Sequence, residues 1–348
     1  MRGFYDGPVA RPATILPGKP AAWTCPLATP SRSTARLRAV AFGPGRAWSG
    51  VKGADSPLLG SGVKPRAGVD AAGRFTLGRV IAWDSGFFRK SSLYWPIRDV
   101  AARFEGALEW PAVEAVDETL SEAAGVHFRL QPPRPRRRRG RRPVDPSSLY
   151  DARIHVEGWV PTRPSNWHDF LNALVWATFP AGKRALHARQ HRTVAARLGD
   201  APKALPDRRT REQDGLAMLD EGSLLLLADE GRVPAIMAAL EARDTLAVQN
   251  EMAEGSALAL VFGHALYESL LPEDRRSIWA MVALLPCPGP LPTERRACTR
   301  LADARLAELL TTPGTFSRPE TFRSLPLDER VLCGESVLRR EPGGELFG

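Results

Sequence analysis

Arg163–Trp176 reads RPSNWHDFLNALVW. Ser165 or Asn166 stands where a helix N-cap accepts orphan N–H groups. Asp169 falls in the first turn, where the helix dipole favours an anion, and Pro180 marks the far end. The stretch therefore predicts a helix over Asn166–Phe179. Trp167, Leu171, Leu174 and Val175 form one apolar stripe and read as core rather than as a binding platform. His168, Asp169 and Asn172 ride on the same turns.

Downstream, a second helix is expected from about Ala181 to Leu198. GLAMLDEGSLLLLAD reads as a hairpin turning at Glu221–Gly222, with the glycine supplying a positive φ. Pro234 opens a helix through Ala247. ALALVF is a short strand, GHALYESLLP a strand-to-helix turn ended by Pro272, and IWAMVALLP another strand. Glu294–Leu310 predicts a last helix, with Leu301, Leu306, Leu309 and Leu310 near one face. Upstream, order is expected from near Phe87. Val113, Val116 and Leu120 recur at helical spacing before Gly125, VHFRL alternates as a strand, and ARIHVEGWV reads as a second strand with Ile154 and Val156 on one face. The sum is an α+β fold, a single mixed helix/strand domain over residues 87–312, followed by an irregular Pro- and Gly-rich tail over 313–348.

Charge and composition place the flanking segments outside that domain. The 348 residues carry a formal net charge of +9. Residues 1–78 account for +8 of it and the seven arginines of Arg134–Arg142 (RPRRRRGRR) for +7, leaving the remainder at −6. Residues 1–78 also hold nine Pro and twelve Gly. Such a segment buries too little apolar surface to offset the entropy of ordering, so a disordered extension is expected. Residues 131–146 read as an Arg/Pro-rich loop insertion. Nucleic-acid binding through Arg134–Arg142 is the alternative, disfavoured because no aromatic residues interleave the arginines. No apolar run approaches the roughly 18 residues of a spanning helix, and the N-terminus lacks a signal layout. A soluble cytoplasmic protein without membrane partners is expected. Its four cysteines form no C-x-x-C pair and read as free thiols.

The chemistry-bearing residues are six histidines and a few carboxylates. His168 and Asp169 form an HD doublet, and His264 follows Gly263 directly after a strand, where glycine lets backbone approach closely. These three are the catalytic candidates. His187 and His191 share a helix face at i, i+4 but lack the central Glu of H-E-x-x-H. With Asp220 they are the candidate metal ligands. An HD-type phosphohydrolase needs a further upstream His on a packed helix, whereas His127 and His155 fall on expected strands. Each candidate also has a bland reading: Asp169 as helix-start chemistry, His264 as a satisfied buried residue, and Asp220 with Glu221 as turn residues. There is no P-loop, no G-x-G-x-x-G after a strand and no G-x-S-x-G elbow. This disfavours nucleotide-dependent phosphoryl transfer, Rossmann dehydrogenase chemistry and standard α/β-hydrolase catalysis.

Tyr150–Gln190 (YDARIHVEGWVPTRPSNWHDFLNALVWATFPAGKRALHARQ), Arg211–Leu227 (REQDGLAMLDEGSLLLL), Val261–Pro272 (VFGHALYESLLP) and the FRLQ ahead of the arginine run together resemble the DUF3025 family, a bacterial domain of unknown function. The resemblance covers about Phe87–Leu285 and implies no activity, cofactor or catalytic residue. Two functions are carried forward. One is a hydrolase-like enzyme with a His/Asp-lined site and a divalent metal, zinc or manganese, for which at least three candidate side chains should converge within about 5 Å. The other is a non-catalytic binding or interaction module, in which each His finds a local structural partner.

Overall fold

A computed structural model describes residues 81–132, 149–198, 209–273 and 277–333, together with the backbone of 67–69 and 75–77. The chain divides into two units at Val63/Lys64, and the described residues all lie in the second. The fold is α+β. The arginine run lies outside the described residues, as does most of the 1–78 extension.

In chain order, β1 (Ala67–Val69) pairs antiparallel with β2 (Phe75–Leu77). Short α1 (Arg98–Ala101) leads to α2 (Val113–Ala124), which buries Val113, Val116 and Leu120 and stops at Gly125 with φ +65°. Then come β3 (His127–Leu130), α3 (Tyr150–Glu157) and β4 (Trp159–Thr162), with β3 and β4 paired in parallel. The two central helices are α4 (Trp167–Thr178) and α5 (Pro180–Leu198). α6 (Arg211–Gly222) runs directly into β5 (Ser223–Asp229). α7 (Val233–Ala242), α8 (Thr245–Ala253), β6 (Ala257–Val261), α9 (His264–Ser269), β7 (Trp279–Cys287) and α10 (Arg295–Thr311) follow, and β8 (Arg323–Pro326) and α11 (Glu329–Leu332) close the described chain.

The main sheet has strand order β6-β5-β7-β8. β5 pairs antiparallel with β6 and parallel with β7, and β7 pairs antiparallel with β8. β5, SLLLLAD, is buried from Ser223 to Ala228, as an unbroken apolar run in a sheet's interior should be. Each fully buried Leu there contributes about 1.5–3 kcal/mol over an exposed one. The stretch that opened the sequence becomes α4 as expected. Asn166 caps it by accepting from the Asp169 N–H at 3.1 Å, and Leu171, Leu174 and Val175 are fully buried. Trp167 and Phe170 join Trp83, Trp110, Phe87 and Phe104 in one aromatic cluster, with Trp83 stacked 5.2 Å from Trp167. The carboxylate of Asp303, on α10, accepts from the Ala181 and Gly182 N–H groups and so closes the start of α5.

Four sequence expectations are corrected. The first is the strand over ARIHVEGWV. Tyr150–Glu157 is instead helical, Ile154 is buried while Val156 is 67% exposed, and Gly158 ends the helix at φ +71° before the strand proper. The second is the hairpin at Glu221–Gly222. A capping box between Thr210 and Gln213 nucleates α6, Leu216 and Leu219 repeat at helical spacing, and Gly222 is not among the residues at positive φ. Asp220 and Glu221 therefore sit in the last turn of a helix. Third, the helix from Pro234 breaks into α7 and α8, because Arg243 adopts φ +57° and Asp244 accepts from the Ala247 N–H as a fresh N-cap. Fourth, residues 319–332, expected to be irregular, supply edge strand β8 with Leu325 buried.

Candidate active site

α4 and α9 pack together, and their first turns bring His168 and His264 into contact, their rings crossed at 73°. The two Nε2 atoms are 3.0 Å apart and the ring centroids 4.4 Å. His264 is first in α9 because β6 is followed by Phe262–Gly263, whose two N–H groups both donate to the Ser223 carbonyl. Gly263 permits this approach. A Cβ there would lie 2.5 Å from both the Glu221 carbonyl oxygen and the Ser223 nitrogen. The close backbone approach expected of this glycine is present.

Both imidazoles are tethered through Nδ1. His264 Nδ1 is 2.8 Å from the backbone carbonyl of Asp220, and His168 Nδ1 is 3.0 Å from Glu268 Oε2. A carbonyl and a carboxylate accept only, so both Nδ1 atoms carry protons and both Nε2 atoms are left to face each other. Glu268 stands one turn after His264, which places both on the side of α9 facing α4. The His264 side chain is 4% exposed and that of His168 28%, so the couple is closed on one side and open on the other. Burial, helped by Lys183 and His168 and opposed by Asp220, pushes the His264 pKa down to about 3. At ordinary pH this ring is neutral.

Behind the couple lies a buried ion pair. Lys183 has no exposed side-chain surface. Its Nζ donates to Asp220 Oδ1 at 2.5 Å and to Asn172 Oδ1 at 2.8 Å, beside the rings of Trp176 and Phe262. Burial alone would push the Asp220 carboxyl up. Lys183, with His264 and His187 nearby, outweighs it and holds the group well below the usual carboxylate range. Asp220 Oδ1 also lies 3.9 Å from His264 Nδ1. Asn172 extends the network by donating to the Tyr150 hydroxyl at 3.5 Å. Burial of that hydroxyl, reinforced by Asp220, Asp169 and Asp151, raises its pKa well above the ordinary value, although the residue as a whole is 43% exposed.

The remaining candidates do not join the couple. Both oxygens of Asp169 are taken by Arg163, through its backbone N–H, Nε and Nη2, each at 2.7 Å. His187 is buried, stacked on Trp176, with Nδ1 3.0 Å from Asp151 Oδ1 and no partner at Nε2. His191 packs on His155 with ring centroids 5.2 Å apart. The i, i+4 pair of α5 is thus divided between Asp151 and His155, themselves i, i+4 on α3, and the two helices run in parallel. His127 faces Asp117 at 3.2 Å. Among the described residues, no three His, Cys, Asp or Glu side chains are placed to share a metal ion. His168, His264 and Asp220 come together through His264, while Asp169, His187 and His191 face other partners. Lys183, Glu268, Asn172, Tyr150 and Asp151 were missed. Lys183 stands four residues before His187, so it shares the face of that candidate, but a lysine in a long helix gives no sign of burial.

Fold and site together define an α+β protein with a tethered imidazole couple on two packed helix starts, backed by a buried Lys–Asp pair. The chain belongs to the family described as Protein of unknown function (DUF3025), whose model matches residues 140–329. No curated protein and no solved structure matches it. Among the described residues, no helix is long and apolar enough to cross a membrane.

Proposed function

We propose that this is a hydrolase-class enzyme whose reaction takes place at the His168–His264 couple. The observation that carries the reading is the 3.0 Å approach of two Nε2 atoms whose Nδ1 partners leave them no other role. The exposed flank of His168 gives a water molecule or a polar substrate access to the pair, with His168 as the proton-transfer group and the buried His264 positioning it from behind. Lys183 and Asp220 hold the floor, with the Asp220 carbonyl fixing the His264 tautomer. The free buried thiols Cys287, Cys298 and Cys333 support a reducing, cytoplasmic setting in a bacterium.

A panel of p-nitrophenyl esters, phosphomonoesters and phosphodiesters and of chromogenic amides tests this with the full chain. At least one class should be turned over, and H168Q and H264Q should each lower kcat by about 10²–10⁴-fold with far-UV circular dichroism unchanged. Absence of turnover on every class, or turnover that survives both substitutions, contradicts the proposal.

The binding-module reading also has its own support. His127, His168, His187 and His264 each have a local carboxylate or carbonyl partner. Neither described cavity is lined by the couple. One is a small recess by Trp110, Arg163 and Asn166, and the other an apolar hollow of about 210 Å³ bounded by Met237, Met281, Leu309 and Phe322. The enzyme reading is preferred because the couple keeps an open flank at His168 in front of a buried Lys–Asp pair.

A further inference from the structure

β8 ladders to β7 only over Trp279–Val282, with Arg323 opposite Val282. Just ahead of it the chain forms a short helical turn, Pro319–Thr321. The Thr321 and Phe322 N–H groups donate to the carbonyls of Arg318 and Pro319 within that turn instead of extending the ladder along β7. The sheet edge therefore opens from Ala283 onward. The apolar hollow of about 210 Å³ lies at this opening. Its walls include Met237 and Leu240 of α7, Met281 and Ala283 of β7, Leu309 of α10, and Phe322.

Arg323 brings a charge to this apolar lining. Its Nη1 donates to the Thr321 carbonyl at 2.7 Å and its Nη2 to Glu241 Oε1 at 3.3 Å, while its buried Nε has no partner among the described residues. Elsewhere in the protein the same edge of a guanidinium is filled. Arg163 holds both oxygens of Asp169 through Nε and Nη2, each at 2.7 Å, and Arg232 holds Glu251 through the same two nitrogens at 2.8 and 2.6 Å. At Arg323 the fork is half empty, because Glu241, 58% exposed, reaches one prong only. A buried N–H of a charged group is costly to leave without an acceptor, and a planar fork matches a carboxylate through two parallel bonds. Among the described side chains with a buried, unpartnered polar atom, Arg323 is the one that lines either described cavity.

We propose that this hollow binds a small apolar monocarboxylate, with the carboxylate on Nε and Nη2 of Arg323 and the hydrocarbon body against Met237, Met281, Leu309 and Phe322. Volume sets the size of the body. An apolar cavity of about 150 Å³ takes up benzene, so a hollow of about 210 Å³ accommodates a six-membered ring or a chain of roughly six carbons together with its carboxylate. The two methionines give walls that adapt to either shape. The ligand displaces Glu241 from Nη2, which costs little because that pair is exposed. Neither His168 nor His264 lines the hollow, so this site is separate from the couple and stands without the hydrolytic reading.

Isothermal titration of the full chain with hexanoate and with benzoate tests this, with hexan-1-ol supplying the body alone and acetate the charge alone. At least one of the two acids should saturate a single site per chain, and hexan-1-ol and acetate should bind about 10–100-fold more weakly, the worth of a charge-assisted hydrogen bond or of the buried body. R323M should lose at least about tenfold on that acid and leave hexan-1-ol unchanged. M237W, which fills the hollow from a partly exposed helix position, should bind neither acid nor alcohol. E241Q, which frees the fork, should bind the acid at least as tightly as the unaltered chain. Far-UV circular dichroism should be the same for all three variants, and H264Q should leave acid binding intact. No saturable binding of either acid, equal affinity for hexanoate and hexan-1-ol, an R323M protein that binds like the unaltered chain, or loss of the acid in E241Q overturns the inference.

Discussion

Lys183 is a residue whose loss should be costly in stability. Its ammonium is wholly buried and its only charge partner in the hydrogen-bonded network is Asp220, which is itself 14% exposed. Removing one member of a buried pair strands the other charge at a cost of about 3–5 kcal/mol, whereas replacing both with apolar groups is often neutral. K183M should therefore lower the unfolding free energy by about that amount, and K183M/D220L should recover most of it. Denaturant titration of the three proteins checks this, and a K183M loss below about 1 kcal/mol would refute the account of the pair. At this scale the sequence was half legible. His168 and His264 stood out by residue type and by their place at helix starts. The pairing of Asp169 with Arg163 was not legible, because it depends on the turn Ser165 makes at φ +49°. Nor was the burial of Lys183, since a lysine in a long helix ordinarily faces water.

The β6–α9 turn is the element that makes the couple. It delivers His264 only because the backbone at Gly263 lies against Glu221–Ser223, the junction of α6 and β5. G263A forces a methyl group into backbone atoms that cannot rotate away. It should cost about 1–3 kcal/mol and displace His264, lowering turnover more than a surface Gly→Ala change such as G231A, where a Cβ would stand 3.4 Å from the Asp229 carboxylate, an ordinary contact. Unfolding and turnover measured side by side decide this, and a G263A protein equal to wild type in both would show that the junction does not position the site. Element type was legible where periodicity ran long, as in α4, α5 and α10. It failed at REQDGLAMLDEG, because the glycines at 215 and 222 mimic turn signals. Gly215 is instead a contact glycine, whose Cβ would meet the Phe316 carbonyl oxygen at 2.4 Å. A glycine that makes room and a glycine that turns the chain are the same letter.

At the scale of the whole molecule, one contiguous set of buried apolar residues runs from Phe87 to Cys333 and joins the aromatic cluster around Trp167 to the sheet around β5. A shared core should melt as one unit. Tryptophan fluorescence, to which Trp83, Trp110 and Trp167 of the cluster contribute among nine tryptophans, and far-UV circular dichroism should give coincident denaturation curves. Separated midpoints would show that the core does not melt as one unit. Fold class was legible from the alternation of helical and strand patterns. Strand order was not, because parallel pairing of β5 with β7 depends on contacts across more than fifty residues that no local pattern encodes.

The most direct measurement of the central claim is the protonation of the two facing rings, read by long-range nitrogen–proton correlation in protein labelled with ¹⁵N-histidine and assigned with H168Q and H264Q. The expected result is Nδ1–H on both His168 and His264, with Nε2 of His264 unprotonated. A proton on His264 Nε2, or two rings exchanging freely between tautomers, would contradict the account.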